Sequence, residues 1–105
     1  MEEVYALKGA EVLLPGGELD QRIVCVERGK IVSVLAPDTS TEGPVYDLTG
    51  YVLSPGFVDI HVNGGGGASF ESATDESIRT VIDTFVRYGT TSLLAALNTA
   101  LRRDR

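Results

Sequence analysis

The sequence predicts an α/β fold with a β-rich N-terminus: a partial β-sandwich over residues 1–54, then one strand–helix–strand unit within residues 55–105. Three observations carry this. Short apolar runs separated by turn residues fill the first half, the rhythm of small sandwiches and barrels. Beyond residue 77 the apolar positions switch to helical spacing. Between the two patterns stands Pro55-Gly56, a dipeptide that breaks regular structure.

The elements follow in order. Residues 4–7 and 11–14 read as strands, the second stopped by Pro15-Gly16-Gly17. Residues 23–27 and 31–35 flank Arg28-Gly29-Lys30, a tight hairpin in which Gly29 supplies the positive φ. In the latter strand Ile31 and Leu35 fall on one face and Val32 and Val34 on the other, so cover is expected on both sides. Residues 37–44 are loop by composition, and residues 45–48 and 51–53 bracket the Thr49-Gly50 turn. Residues 57–62 form the next strand. Ile78, Val81, Ile82, Phe85 and Val86 then make one apolar helical stripe. Thr74 or Asp75 caps its start, and Gly89 suits the position just past its end. Residues 91–97 are a second apolar strand, and a strand–helix–strand sequence of this length implies parallel pairing. A parallel pair with one helix leaves its sheet uncovered, which points to the opening of a larger fold instead of a small complete α+β domain.

Composition narrows the function. The 105 residues are 43% hydrophobic and 23% charged with net charge −6, which is globular and acidic. Basic residues are scattered apart from the ending Arg102-Arg103-Asp104-Arg105, so no basic stripe offers a surface for nucleic acid. Cys25 is alone and forms no internal disulfide, as expected in a reducing cytoplasm. The start is acidic, unlike a secretory leader, and no apolar run approaches the ~18 residues of a membrane span. The expectation is a cytoplasmic protein with neither membrane nor nucleic-acid partners.

The stretch from Ser54 to Gly67, SPGFVDIHVNGGGG, holds the single histidine and five of the twelve glycines. Alternation along the strand puts Asp59, His61 and Asn63 on one face, with Val58, Ile60 and Val62 opposite. These polar groups sit at the strand's C-terminal end, where parallel α/β folds bind ligands. Imidazole and carboxylate hold divalent metals, whereas an Asn amide is a poor zinc ligand and a good hydrogen-bond partner. The glycines allow close approach of a ligand to the backbone. Taken alone, the same residues also fit a hydrogen-bonded core histidine followed by a flexible connector.

The residues PGFVDIHVNGGGG resemble the first barrel strand of the amidohydrolase superfamily, Pro-Gly-Phe-Ile/Val-Asp-x-His-x-His. Asn in the last position, followed by glycines, is similar to the N-acetylglucosamine-6-phosphate deacetylase family. YALKGAEVLLPGGELDQRIVCVERGKIVSV resembles that family's N-terminal sandwich strands, and GTTSLLAALNT its second barrel strand, though the family usually has Pro near Ala96. The resemblance runs from about Tyr5 to Thr99.

It implies that residues 55–105 begin a (β/α)8 TIM-like barrel, incomplete here, and that the parent is a metal-dependent hydrolase. Such an enzyme converts N-acetylglucosamine 6-phosphate, a small sugar phosphate, to glucosamine 6-phosphate and acetate. It would hold zinc or another divalent metal and act as a homodimer. His61 matches the first metal-ligand position and Asn63 the second, where many members have His. Asp59 matches the signature Asp and is expected to support the strand. Asn63, Gly64 and Gly65 would face the substrate. The family's remaining ligands, a Glu and two His, and its general-base Asp would lie beyond Arg105. The 105 residues alone are therefore expected to lack catalytic groups and to be inactive. The alternatives are another amidohydrolase, such as a cyclic amidase or deaminase, and a non-catalytic β-rich interaction module. Asn63 stands against the former, because those relatives generally keep the second His.

Overall fold

The computed structural model describes residues 3–98, leaving the acidic start at 1–2, Thr99 and the basic ending at 102–105 outside the described residues. The chain divides into two compact units, Met1–Pro55 and Gly56–Arg105.

The first unit consists of β1 (Val4–Lys8), β2 (Glu11–Leu13), β3 (Leu19–Gln21), β4 (Ile23–Glu27), β5 (Lys30–Leu35), β6 (Val45–Asp47) and β7 (Val52–Leu53). One sheet has the order β5-β4-β1-β6 and the other β3-β2-β7. The pairs β1–β6 and β2–β7 are parallel, and the others in these sheets are antiparallel. Both sheets contribute to one core: Val12 of β2 packs with Val24 and Val26 of β4, ringed by Tyr5, Leu7, Leu14 and Leu53. Alternation explains this directly, since Val24 and Val26 point to the same face of β4.

Two details depart from the expectation. Strand β3 carries Asp20 and Gln21 among its three exposed residues, so it has no apolar signal; its pairing with β2 comes from the Pro15–Gly17 turn, where Leu14 donates its N–H to Glu18 O and Gly17 its N–H to Leu14 O. In β5 the faces are redistributed. Cys25 pairs with Ser33 but Val26 pairs with Ile31, so β5 contains one extra residue, a bulge at Val32. The bulge puts Ile31 and Val34 together on the lining of a cavity of about 380 Å³, and Val32 with Leu35 on the opposite side. The strict alternation expected for Ile31/Leu35 and Val32/Val34 is thereby broken. Ile31, Val32 and Val34 stay exposed, so the expected cover on both faces is absent among the described residues. At the hairpin, Arg28 (φ 50°) joins Gly29 (φ 75°) in the left-handed region, because a two-residue turn matching the strand twist needs both.

The second unit consists of β8 (Phe57–Val62), β9 (Gly64–Gly65), β10 (Ala68–Ser69), a 3₁₀ turn at Phe70–Ser72, α1 (Asp75–Arg87) and β11 (Thr90–Ala95). Strands β8 and β11 are parallel, with Thr90 opposite Phe57 and Ala95 opposite Val62. Helix α1 starts at a capping box. Ser77 N–H donates to Thr74 Oγ1 at 3.1 Å, and Thr74 N–H donates to Ser77 Oγ at 3.3 Å. Gly89, at φ 96°, ends it as the sequence suggests. Val81 is fully buried against Val62 and Phe70, with Ile78, Phe85, Leu93 and Ala68 around them. The other half of the stripe, Ile82 and Val86, remains exposed.

Candidate functional site

Asp59 and His61 stand in β8 and Asn63 just past its end. Asp59 is half-buried, and its Oδ1 accepts the backbone N–H of His61 at 3.1 Å. The side chains of His61 and Asn63 are exposed. Asn63 follows the last strand residue, and its carbonyl accepts the N–H of Phe70 at 3.0 Å. Val62, one residue earlier, accepts the N–H of Ala96 at 2.8 Å. The backbone around the three polar positions is therefore held on both sides.

The four glycines do not form a flexible connector. Gly64–Gly65 and Ala68–Ser69 pair as a hairpin whose two-residue turn is Gly66-Gly67, with φ 63° and 83°. The hairpin lies against the chain's own helix. A Cβ on Gly66 would collide with Thr84 Oγ1, one on Gly65 would sit 2.9 Å from Phe85 Cε2, and one on Gly64 would collide with Ala68 O. Only at Gly67, of the four, is the space around a Cβ open. Internal packing alone thus accounts for glycine at residues 64, 65 and 66.

The turn after the hairpin contributes residues that the sequence pattern does not single out. Phe70 fills the core, and Glu71 Oε1 accepts the N–H of Asn98 at 3.1 Å. The two partners are 27 positions apart, and neither apolar spacing nor a motif links them. Only the parallel return of β11 brings them together.

Among the described residues no three His, Cys, Asp or Glu side chains come together as a metal site. The donor set explains this. Asp59 spends one oxygen on the His61 backbone, Asn63 is neutral, and His61 remains as a single imidazole. Zinc needs three or four protein ligands, so these residues do not make a zinc site by themselves. No described helix is long and apolar enough to cross a membrane.

No family model matches the chain. A dihydroorotase of Listeria monocytogenes serotype 4a (strain HCC23) is 37% identical over 60 residues, covering 57% of this chain and 14% of that protein. An N-acetylgalactosamine-6-phosphate deacetylase of Shewanella sp. (strain ANA-3) is 34% identical over 95 residues, covering 87% of this chain and 24% of that protein. The crystal structure of N-acetylglucosamine-6-phosphate deacetylase from Pasteurella multocida superposes with a TM-score of 0.77 at 28% identity, over 88% of this chain and 25% of that one. This chain resembles the N-acetylglucosamine-6-phosphate deacetylases along most of its length.

At 88% coverage the deacetylase likeness takes in parts of both compact units, whereas the dihydroorotase likeness covers little more than half of the chain. The chain spans about a quarter of the length of the deacetylases it matches.

Proposed function

We propose that the chain is part of a metal-dependent amide hydrolase that acts on N-acetylglucosamine 6-phosphate. Water adds to the acetamide carbonyl, the C–N bond breaks, acetate leaves and the sugar amine takes up the proton. The observation that carries this reading is the deacetylase likeness over 87–88% of the chain in both sequence and fold. In this reading the first unit is a partial β-sandwich, and β8, α1 and β11 are the first strand–helix–strand unit of a (β/α)8 barrel. The parallel pairing of β8 with β11 supports it.

The site residues take the following parts. Asp59 supports the strand through the His61 N–H. Exposed His61 offers an imidazole to a metal, zinc by preference, whose other ligands come from residues outside this set. Asn63 offers an amide to the sugar phosphate, with the backbone of Gly64 and Gly65 beside it. No catalytic step is assigned to these residues, and the 105-residue chain is inactive alone. The complete enzyme works as a homodimer in the cytoplasm.

A cyclic-amidase reading draws on the 37% identity to dihydroorotase. Asn63, in the position where such enzymes generally carry a second His, stands against it. The test is to purify the native protein and assay N-acetylglucosamine 6-phosphate, N-acetylgalactosamine 6-phosphate and dihydroorotate side by side. Release of free amine and acetate from the glucosamine substrate is expected. Turnover of dihydroorotate with no release from either sugar phosphate would replace this reading with the cyclic-amidase one.

A further inference from the structure

We infer that Glu71 is a positioning residue of the strand-end site, fixing where the segment after β11 lies beside Asn63. The parallel pair β8–β11 ends at Val62 opposite Ala95, closed by the bond from Ala96 N–H to Val62 O at 2.8 Å. Beyond that point the Phe70–Ser72 turn links the two strand ends. Phe70 N–H holds the Asn63 carbonyl at 3.0 Å, and the next residue, Glu71, takes the Asn98 N–H on Oε1 at 3.1 Å.

The turn is suited to this by its own anchoring. The Phe70 side chain is buried with Val62 and Val81. Ser69 Oγ accepts the Glu71 N–H at 3.1 Å, fixing the backbone from which the carboxylate reaches out. Ala73, at φ 52°, closes the turn by donating its N–H to Phe70 O at 3.1 Å. A carboxylate accepting an N–H is a charge-assisted bond, stronger than its neutral equivalent. Consecutive residues of one rigid turn thus set the spacing between Asn63 and Asn98. As far as that spacing shapes a sugar-phosphate site, the inference rests on the deacetylase reading.

The experiment compares the native protein with Glu71→Ala, which removes the acceptor, and Glu71→Gln, which keeps an oxygen of similar reach. Hydrogen exchange is followed at the Asn98 amide and at the amides of α1, and KM and kcat are measured for N-acetylglucosamine 6-phosphate. In Glu71→Ala, exchange at Asn98 is expected to rise roughly threefold to tenfold, the worth of one net hydrogen bond, with α1 unchanged. KM is expected to rise by a similar factor with a smaller change in kcat, and Glu71→Gln is expected to recover most of both. Unchanged Asn98 exchange in Glu71→Ala overturns the inference. So does an equal rise throughout α1, which would make the role one of general stability, and so does an unmoved KM in an enzyme that turns over the substrate. If the unmodified protein does not act on the sugar phosphate while Asn98 exchange still responds with rescue by Gln, the deacetylase reading falls and the positioning role of Glu71 stands.

Discussion

Asp59 Oδ1 accepts the backbone N–H of His61 at 3.1 Å, so the carboxylate is tied to the backbone of the candidate ligand two residues on. Among the described residues strand β8 pairs only with β11, and the Asp59 side chain supplies the acceptor that a second neighbouring strand would give at this N–H. Asp59→Ala is expected to destabilise the second unit by about 1 kcal/mol, the worth of one ordinary hydrogen bond. Asp59→Asn keeps an acceptor oxygen and should lose less. Urea unfolding of the two variants measures the difference. Equal losses would mean that the carboxylate acts by its charge and not as a local acceptor.

Gly66 combines two constraints, a φ of 63° and a Cβ position that collides with Thr84 Oγ1. Gly66→Ala is expected to cost about 1–3 kcal/mol, since backbone strain and the clash add. Adding Thr84→Ala removes the clash but not the strain, so the double variant should recover only part of the loss. The measurement is a double-mutant cycle by thermal unfolding, and complete recovery would show that backbone strain contributes nothing.

These two positions mark how far the sequence could be read. Helix α1 was legible from Thr74 to Gly89 because capping chemistry and helical spacing are local signals. Strands β4 and β8 were legible because alternation and flanking turns are local too. The bulge at Val32 was not, since an extra residue in β5 shows only against its partner β4. The hairpin in the glycine run was not legible, because a hairpin made of glycines has no side-chain pattern and its docking on Thr84 and Phe85 is tertiary. For the site, the Asp59–His61–Asn63 spacing could be read from alternation. The Glu71–Asn98 bond could not, because 27 residues separate partners that only parallel pairing brings together.

Acid should act on the first unit through Asp47. The Thr49 hydroxyl at 2.5 Å and the Thr49 backbone N–H at 2.9 Å both donate to its Oδ1 and hold its pKa below the ordinary 3.8. A depressed folded-state pKa means that the stabilisation is present above the ordinary value and is lost as pH falls through the lowered one. Thr49→Val removes the hydroxyl. It is expected to be less stable than the unmodified chain at neutral pH and equal to it once Asp47 is protonated. Unfolding curves from pH 7 to pH 2 test this, and a difference that persists at the acid end would assign it to packing.

The chain on its own is expected to self-associate. Phe57, Val58 and Ile60 of β8 are 62%, 69% and 74% exposed, and Leu94 of β11 is 63% exposed. Among the described residues this two-stranded sheet has no further strand at either edge, and apolar side chains that α1 leaves uncovered are a template for pairing with other chains. Size-exclusion chromatography with light scattering should show species above the monomer mass at micromolar concentration. Ile60→Lys, on an exposed strand position, should shift the distribution towards monomer. A monomer with a cooperative melt in the unmodified chain would refute the expectation.

The last prediction concerns His61 and Asn63 in the native protein. They stand two residues apart at the end of β8, and both are exposed. Asn is a neutral and weak ligand for zinc, so one histidine gives a second metal only half of the usual anchor. One tightly held metal is therefore expected, bound mainly by residues outside this pair. Asn63→His should raise the metal content towards two. The Phe70 bond goes to the Asn63 backbone carbonyl, which the substitution leaves in place, so the new imidazole would stand on an unchanged backbone. His61→Ala should cost less activity than loss of any ligand from the remaining set. Metal analysis by mass spectrometry and steady-state kinetics check both variants against the unmodified protein. Two metals already present in that protein, lost together with activity in His61→Ala, would make His61 a primary ligand and overturn this account of the pair.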